Sequence, residues 1–393
     1  MSTSQAVRPR PARTRTPVID ADIHPSVDPA RIADLLPEPW RRRYTRFGVR
    51  NAAPPAVYPR MRNGGMRLDS YPEQGAPGSD LGMLRAQLLD AYDVAAGVLI
   101  PLQSHTFGAE EPEYAAALCR ALNEALVADW LDPEPRLRAS ICLPHESPEH
   151  AVAEIEHWAG DPRFVQALFP SGTHLPMSDA KYRPIYDAAA ARGLPVAVHL
   201  GGTEGHRGDG WPSFYLEQHA WYGNAMAVAL TGLVAGGVLA RTPGLQLVLV
   251  EGGVSWVTSL LWSLDEAWPL MRDDMPGVTR SPSEQVREQC WFTTQPIEES
   301  PDPAHLAATL RHSGLTDRIL FSSDYPHWDF DAPDTALRVL PADLRTPMMS
   351  ANAARLYGLD PAVPPSVPAP SVPAPSVPAP SVPAPSVTTR SAR

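Results

Sequence analysis

The sequence predicts a closed (β/α)8 TIM barrel, and three observations carry that expectation. Eight short, almost wholly apolar runs recur between residues 18 and 360. Helical patterns fill the intervals, the arrangement of a parallel sheet whose faces are covered. Eight such units are the number at which the sheet closes on itself. The main rival is an open doubly wound sheet, but no Gly-x-Gly-x-x-Gly turn follows the first run.

The candidate strands span 18–24, 98–103, 137–143, 164–169, 196–200, 245–250, 291–294 and 319–322. The first reads Val-Ile-Asp-Ala-Asp-Ile-His and stops at Pro25, which has no N–H to give a ladder. Asp22 and His24 stand two residues apart, so a strand projects both from one face. Together they are half of a mixed oxygen–nitrogen metal site. Alone, the pair is a weak signal and reads more readily as a polar strand end meeting solvent. Helical patterns cover 113–130, 148–158 and 179–192, the last closed by Gly193 with Pro195 just beyond. Two stretches exceed simple connections. Residues 25–80 carry Trp40, Tyr44, Tyr58 and Tyr71; residues 201–231 carry Glu204, His206, Arg207, His219 and Trp221. Each follows a strand, so both are expected as long loops walling the C-terminal face, where barrel active sites lie.

Composition excludes several classes. The formal net charge is −11, from 44 acidic and 33 basic residues, the wrong sign for a general nucleic-acid binder. Cys119, Cys142 and Cys290 are far apart, forming no disulfide framework and no zinc-finger spacing, which suits a reducing, cytoplasmic setting. No apolar run is long enough to span a membrane. Residues 1–17 are rich in arginine and proline and lack a signal-peptide core, so a disordered leader is expected. From Ser366 to Pro385 the unit Ser-Val-Pro-Ala-Pro repeats four times. That composition favours polyproline II, and 361–393 is expected to be a solvated tail, with docking to a proline-binding partner as the alternative. The barrel itself is expected over 18–360.

The other strand ends repeat the first one's pattern. Pro195-Val-Ala-Val-His places His199 where the fifth run finishes, although such a histidine alone is more commonly structural. Leu247-Val-Leu-Val-Glu places Glu251 likewise, and a charge ending an apolar strand is costly unless paired. Ile319-Leu-Phe-Ser-Ser-Asp places Asp324, with His327 three residues on. Carboxylates converging in one barrel mouth repel each other, and a bound cation resolves the conflict.

At these residues the chain resembles the amidohydrolase superfamily, most closely its amidohydrolase-2 branch, which includes aminocarboxymuconate-semialdehyde decarboxylase and γ-resorcylate decarboxylase. The resemblance rests on Ile19-Asp-Ala-Asp-Ile-His-Pro, Leu194-Pro-Val-Ala-Val-His-Leu-Gly, Leu247-Val-Leu-Val-Glu-Gly-Gly-Val-Ser-Trp, Leu320-Phe-Ser-Ser-Asp-Tyr-Pro-His and Asn352-Ala-Ala-Arg-Leu-Tyr-Gly. It implies a distorted barrel, a homodimer, and one divalent ion held by Asp22, His24, His199 and Asp324. Two departures stand out. The usual His-x-His of strand 1 is Asp-x-His, which admits Mn2+ beside the expected Zn2+. The usual histidine ending strand 6 is Glu251.

Non-oxidative decarboxylation of a small aromatic or unsaturated carboxylic acid is the leading expectation. There Glu251 delivers the proton to the carbon that loses CO2, kept protonated by burial. The alternative is hydrolysis of a C–N, C–O or C–C bond, with Asp324 as base and Glu251 passing the proton to the leaving group. In either reading His327 orients substrate or Asp324, and Arg207 holds a substrate carboxylate; a loop histidine and a solvated arginine are the plain alternatives. A barrel that has lost catalysis and only binds a ligand is the third reading.

Overall fold

The protein is described here as a computed structural model, covering residues 17–49, 65–202, 215–275 and 277–360. Eight strands form one sheet in the order β1 to β8, and every neighbouring pair is parallel. They are β1 (Val18–Ile23), β2 (Val94–Leu99), β3 (Leu137–Cys142), β4 (Phe164–Gly172), β5 (Val196–Gly202), β6 (Leu247–Val250), β7 (Cys290–Thr293) and β8 (Ile319–Leu320). Main-chain bonds then join the last strand region to the first. Ala21 N donates to Phe321 O at 2.9 Å, Asp324 N to Asp22 O at 3.1 Å and His24 N to Tyr325 O at 2.8 Å. Those bonds close the barrel.

Helices separate the strands: α1 (Pro29–Leu35), α2 (Trp40–Phe47), α3 (Leu81–Leu84), α4 (Gln103–Phe107), α5 (Pro112–Leu126), α6 (Pro148–Trp158) and α7 (Arg183–Ala191) in the first half. The second half adds α8 (Tyr215–Ala235), α9 (Val238–Arg241), α10 (Trp256–Met271), α11 (Pro282–Gln289), α12 (Pro303–Ser313), α13 (Ala342–Thr346) and α14 (Asn352–Tyr357). Proline opens α1, α5, α6, α11 and α12, where its missing N–H costs nothing. Alternation along the strands divides the core. Val196 and Val198 of β5 pack into the cluster shared with the helices. Ala197 joins Leu168, Val248, Val250 and Leu320 in a second buried cluster. His199, two residues past Ala197, therefore shares its face.

Several expected boundaries move. The second strand lies at Val94–Leu99, four residues before the expected 98–103, because register with β1 and β3 decides it within a run apolar on both sides of Leu99. The fourth extends to Gly172. The helix expected over 113–130 loosens into a π turn at Val127–Leu131, and that over 179–192 opens with a 3-10 turn at Ala180–Tyr182. The larger correction concerns 201–231, expected as a loop. Its second half belongs to α8, where Ala225-Met-Ala-Val-Ala-Leu has strong helix propensity and Met226, Leu230 and Leu233 are buried on one face. Tyr58, Glu204, His206 and Arg207, the leader up to residue 16 and the tail 361–393 lie outside the described residues. Among the described residues no helix is long and apolar enough to cross a membrane.

Candidate metal centre

The strand ends bring Asp22, His24, His199, Glu251 and Asp324 to one point in the barrel mouth. His24 Nε2 lies 2.7 Å from Asp324 Oδ1 and 3.3 Å from Asp22 Oδ1. His199 Nε2 lies 3.0 Å from Glu251 Oε2 and 3.9 Å from Asp22 Oδ2. All five residues are buried. Asp22, His24 and His199 present donor atoms within 4.8 Å of one another, as do His24, Asp324 and His327.

The tautomers follow from the main chain. His24 Nδ1–H donates to Ile100 O at 2.8 Å and His199 Nδ1–H to Leu200 O at 2.6 Å. Each imidazole thus directs the lone pair of Nε2 at the carboxylates, the orientation that metal-binding histidines take when the other nitrogen is anchored. Both Nε2 atoms and both Asp22 oxygens are buried without a hydrogen-bond partner. Acceptors facing acceptors in a dry site are expensive unless a cation stands between them. Ligand atoms about 2.1 Å from one ion stand about 3 Å apart, near the separations of His24 Nε2 from Asp22 and Asp324. Asp22, His24 and His199 form one group that fits a divalent ion, and Asp324 adjoins it through His24.

Electrostatics agree. Burial drives the Asp22 carboxyl well above the usual carboxylate range, and Asp324, Glu251 and Asp20 push it further against the pull of His24. Burial, then Asp324, raises Glu251 to about 8. Burial also opposes ionisation of Asp324, but His327 and His24 outweigh it and hold that carboxyl below the usual range. His327 Nδ1–H donates to Asp324 Oδ1 at 2.5 Å. Burial works against the His327 cation, yet Asp324 lifts its pKa to about 10. Burial lowers His199 to about 4, so its imidazole is neutral. The backbones are strained where the chemistry sits: Glu251 and Asp324 have φ of 61° and 59°, unusual for residues with a Cβ.

Three further residues escaped the sequence reading. Asp20, buried and raised to about 7 by that burial, accepts from the Ser323 amide at 2.9 Å and ties β1 to the β8 loop. His105 of α4 lies with its ring 5.2 Å from that of His199 and a buried, unpartnered Nε2. Gly201, with φ of 134°, leaves room for it, since a Cβ there would come 2.5 Å from His105 Nδ1. Asp329 accepts from Gln295 Nε2 at 2.8 Å and lies 2.7 Å from His219 Nε2. Spacing from the Pro326-His327 turn is the one signal that marks Asp329; His105 and Asp20 carry none beyond lying near strand ends.

Known proteins share this frame. A γ-resorcylate decarboxylase from Rhizobium sp. is 25% identical over 299 residues, 72% of this chain and 89% of its own. A crystal structure of 5-carboxyvanillate decarboxylase from Novosphingobium aromaticivorans, complexed with manganese, superposes with a TM-score of 0.67 at 16% identity over 91% of this chain and all of that one. An amidohydrolase structure from Mycobacterium avium subsp. paratuberculosis gives 0.64 at 22% identity, over 88% of this chain and 98% of that one. At these identities the superpositions speak for the fold. The sequence profile described as Amidohydrolase matches residues 19–359, from the first strand through the last helix, and with the donor set in place the chain belongs to that family.

Proposed function

We propose that this protein is a metal-dependent carboxy-lyase that decarboxylates a small aromatic or unsaturated carboxylic acid without oxidation. The observation that carries the reading is Glu251, a carboxyl buried in the mouth with Oε2 3.0 Å from His199 Nε2, where burial and the charge of Asp324 favour its proton-bearing form. The γ-resorcylate decarboxylase relative, alike over most of both chains, supports the same chemistry. Asp22, His24, His199 and Asp324 would hold the ion, which supplies charge to bind and polarise an anionic substrate. Two carboxylates and two imidazoles suit Zn2+ or Mn2+; manganese in the 5-carboxyvanillate decarboxylase structure makes Mn2+ the first to test.

Around that centre the chain's own groups divide the work. His327, cationic at neutral pH, keeps Asp324 ionised and orients it or the substrate. Glu251 gives its proton to the ring carbon as the carbon–carboxyl bond breaks. The bonding pair becomes the new C–H bond, and CO2 leaves. Arg207 would hold a substrate carboxylate. The family resemblance supports a homodimer, and the three free, buried cysteines suit a cytoplasmic setting.

The test is incubation of Mn2+- and Zn2+-loaded protein with γ-resorcylate and related hydroxybenzoates, and with amide and lactone panels in isotopically labelled water. CO2 release without solvent oxygen in the product supports the lyase. Label entering the product from an amide or lactone, with no CO2 from any acid, replaces it with hydrolysis. Sedimentation velocity of the same samples reads the oligomer.

A further inference from the structure

An imidazole from the helix that follows β5 joins the loop that follows β8. His219 lies in the second turn of α8, with Nε2 at 2.7 Å from Asp329 Oδ2. Gln295, two residues past β7, donates to the same oxygen at 2.8 Å. The helix follows β5, Asp329 follows β8 and Gln295 follows β7, so these contacts arch across the position of β6. Tyr222 and Trp328 flank the His219 ring at 5.2 and 5.5 Å. The side chains of His219 and Asp329 keep 22% and 15% of their surface exposed, while Asp22 and His199 below are closed off. The pair is thus part-exposed, and Asp329 stands two residues along the chain from His327, whose ring bonds Asp324. Its hydrogen bond to Asp329 raises His219 above the ordinary histidine pKa against burial, and the charges of Asp329, Glu251 and Asp324 all act in that direction.

We propose that His219, held by Asp329, relays from solvent to the reaction site the proton that each turnover consumes. The inference rests on the decarboxylase reading. Converting R–CO2− to R–H and CO2 breaks one carbon–carbon bond, leaves its electron pair on carbon and takes up one proton. That proton must cross from water into a site whose ligands are sealed. Glu251, left as a carboxylate once it has protonated the carbon, takes up the imidazolium proton, and the neutral imidazole takes another from solvent and returns to its starting form, so nothing is oxidised or reduced. Asp329 fixes the ring by its hydrogen bond. A histidine side chain that is partly exposed and partly enclosed suits this exchange.

Wild type, His219→Ala and Asp329→Asn, each loaded with Mn2+, are compared for CO2 release, metal content and circular dichroism. His219→Ala is expected to keep its metal and fold, hold KM within a few-fold, and lose about 100-fold in kcat. Added imidazole should restore its turnover in proportion to concentration, a response that a merely structural side chain does not give. Asp329→Asn should show a smaller loss, and by NMR its His219 ring should titrate at lower pH than in wild type. Unchanged kcat in His219→Ala, or a loss in folded, metal-replete protein that imidazole leaves untouched, overturns the relay. If His219→Ala fails to fold, Asp329→Asn decides, and unchanged kcat with unchanged His219 titration overturns it. Wild type inert toward every acid overturns the lyase reading and the relay together; active wild type with unaffected variants overturns the relay alone.

Discussion

His24 and His199 meet edge to face, ring centroids 5.1 Å apart and planes at 86°, each with Nδ1 tied to a main-chain carbonyl. Neither ring can turn its Nε2 away without breaking that bond. The two nitrogens are therefore preorganised, and their loss should show first in metal content. His24→Ala and His199→Ala should purify folded but well below the about one ion per chain expected of wild type. Elemental analysis measures this, and full occupancy in both variants would remove them as ligands.

Asp324 has a double role, beside His24 and as partner of His327. Asp324→Asn should retain the barrel by circular dichroism and lose turnover by about 100-fold or more. His327, about 10 beside the carboxylate, should fall toward the ordinary imidazole range, as NMR titration would report. Retained turnover would strip Asp324 of its catalytic assignment.

Glu251 occupies a left-handed backbone that glycine adopts freely. Glu251→Gly should abolish turnover yet raise the stability of metal-free protein by up to about 1 kcal/mol, because strain and a buried acid both go. Urea denaturation reads the stability, and a less stable variant would contradict the strain argument.

The pH dependence of metal-free protein has a definite sign above pH 6.5. Asp20 and Asp331, both about 7 through burial, and Glu251, about 8, still hold protons in the folded state that unfolded carboxyls have lost. His327, about 10, likewise binds a proton that an unfolded histidine releases near 6.5. The folded state binds more protons, so stability must fall as pH rises from about 6.5 to about 8. The lowered histidines, His105, His145, His157 and His199, act in the opposite sense mainly below pH 6.5, and their opposition fades through the window as the unfolded imidazoles finish losing their protons. Thermal melts of chelator-treated protein at pH 6.5, 7.2 and 8 test it; a flat or rising melting temperature would refute it.

Deleting residues 361–393 should leave turnover and melting temperature unchanged. The described barrel ends with α14, whose Asn352 side chain donates to Ile319 O at 2.7 Å and whose Tyr357 hydroxyl donates to Gln166 Oε1 at 2.8 Å. Lost activity would mean that the proline-rich segment does more than extend into solvent.

How much was legible in advance depends on whether a residue's role is local. His199 ends an apolar run at the same parity as Ala197, so alternation places its side chain. Glu251 has the parity of the helix-facing Leu247 and Leu249, and only its left-handed backbone, with φ of 61°, breaks the strand's alternation there. Asp22 and His24 follow from the same rule. Asp20 shares their face, but its tie to the Ser323 amide exists only through closure between chain segments about three hundred residues apart, which no local pattern records. The second strand was misplaced because Val94-Ala-Ala-Gly carries weak strand propensity, and pairing with β1 and β3 overrides it. The α8 helix was hidden by the polar and aromatic residues at its start, and with it the partnership of His219 and Asp329.

Closure between β1 and the β8 loop also sets an order of events during synthesis. Asp22 emerges near the start of the chain and Asp324 near the end of the barrel, and the bond from Asp324 N to Asp22 O joins the two. A nascent chain short of the eighth unit has an open seam and an incomplete donor set. With the proposed ligands, capture of the ion would wait until the barrel has been translated, and loading would report that the barrel has been made in full.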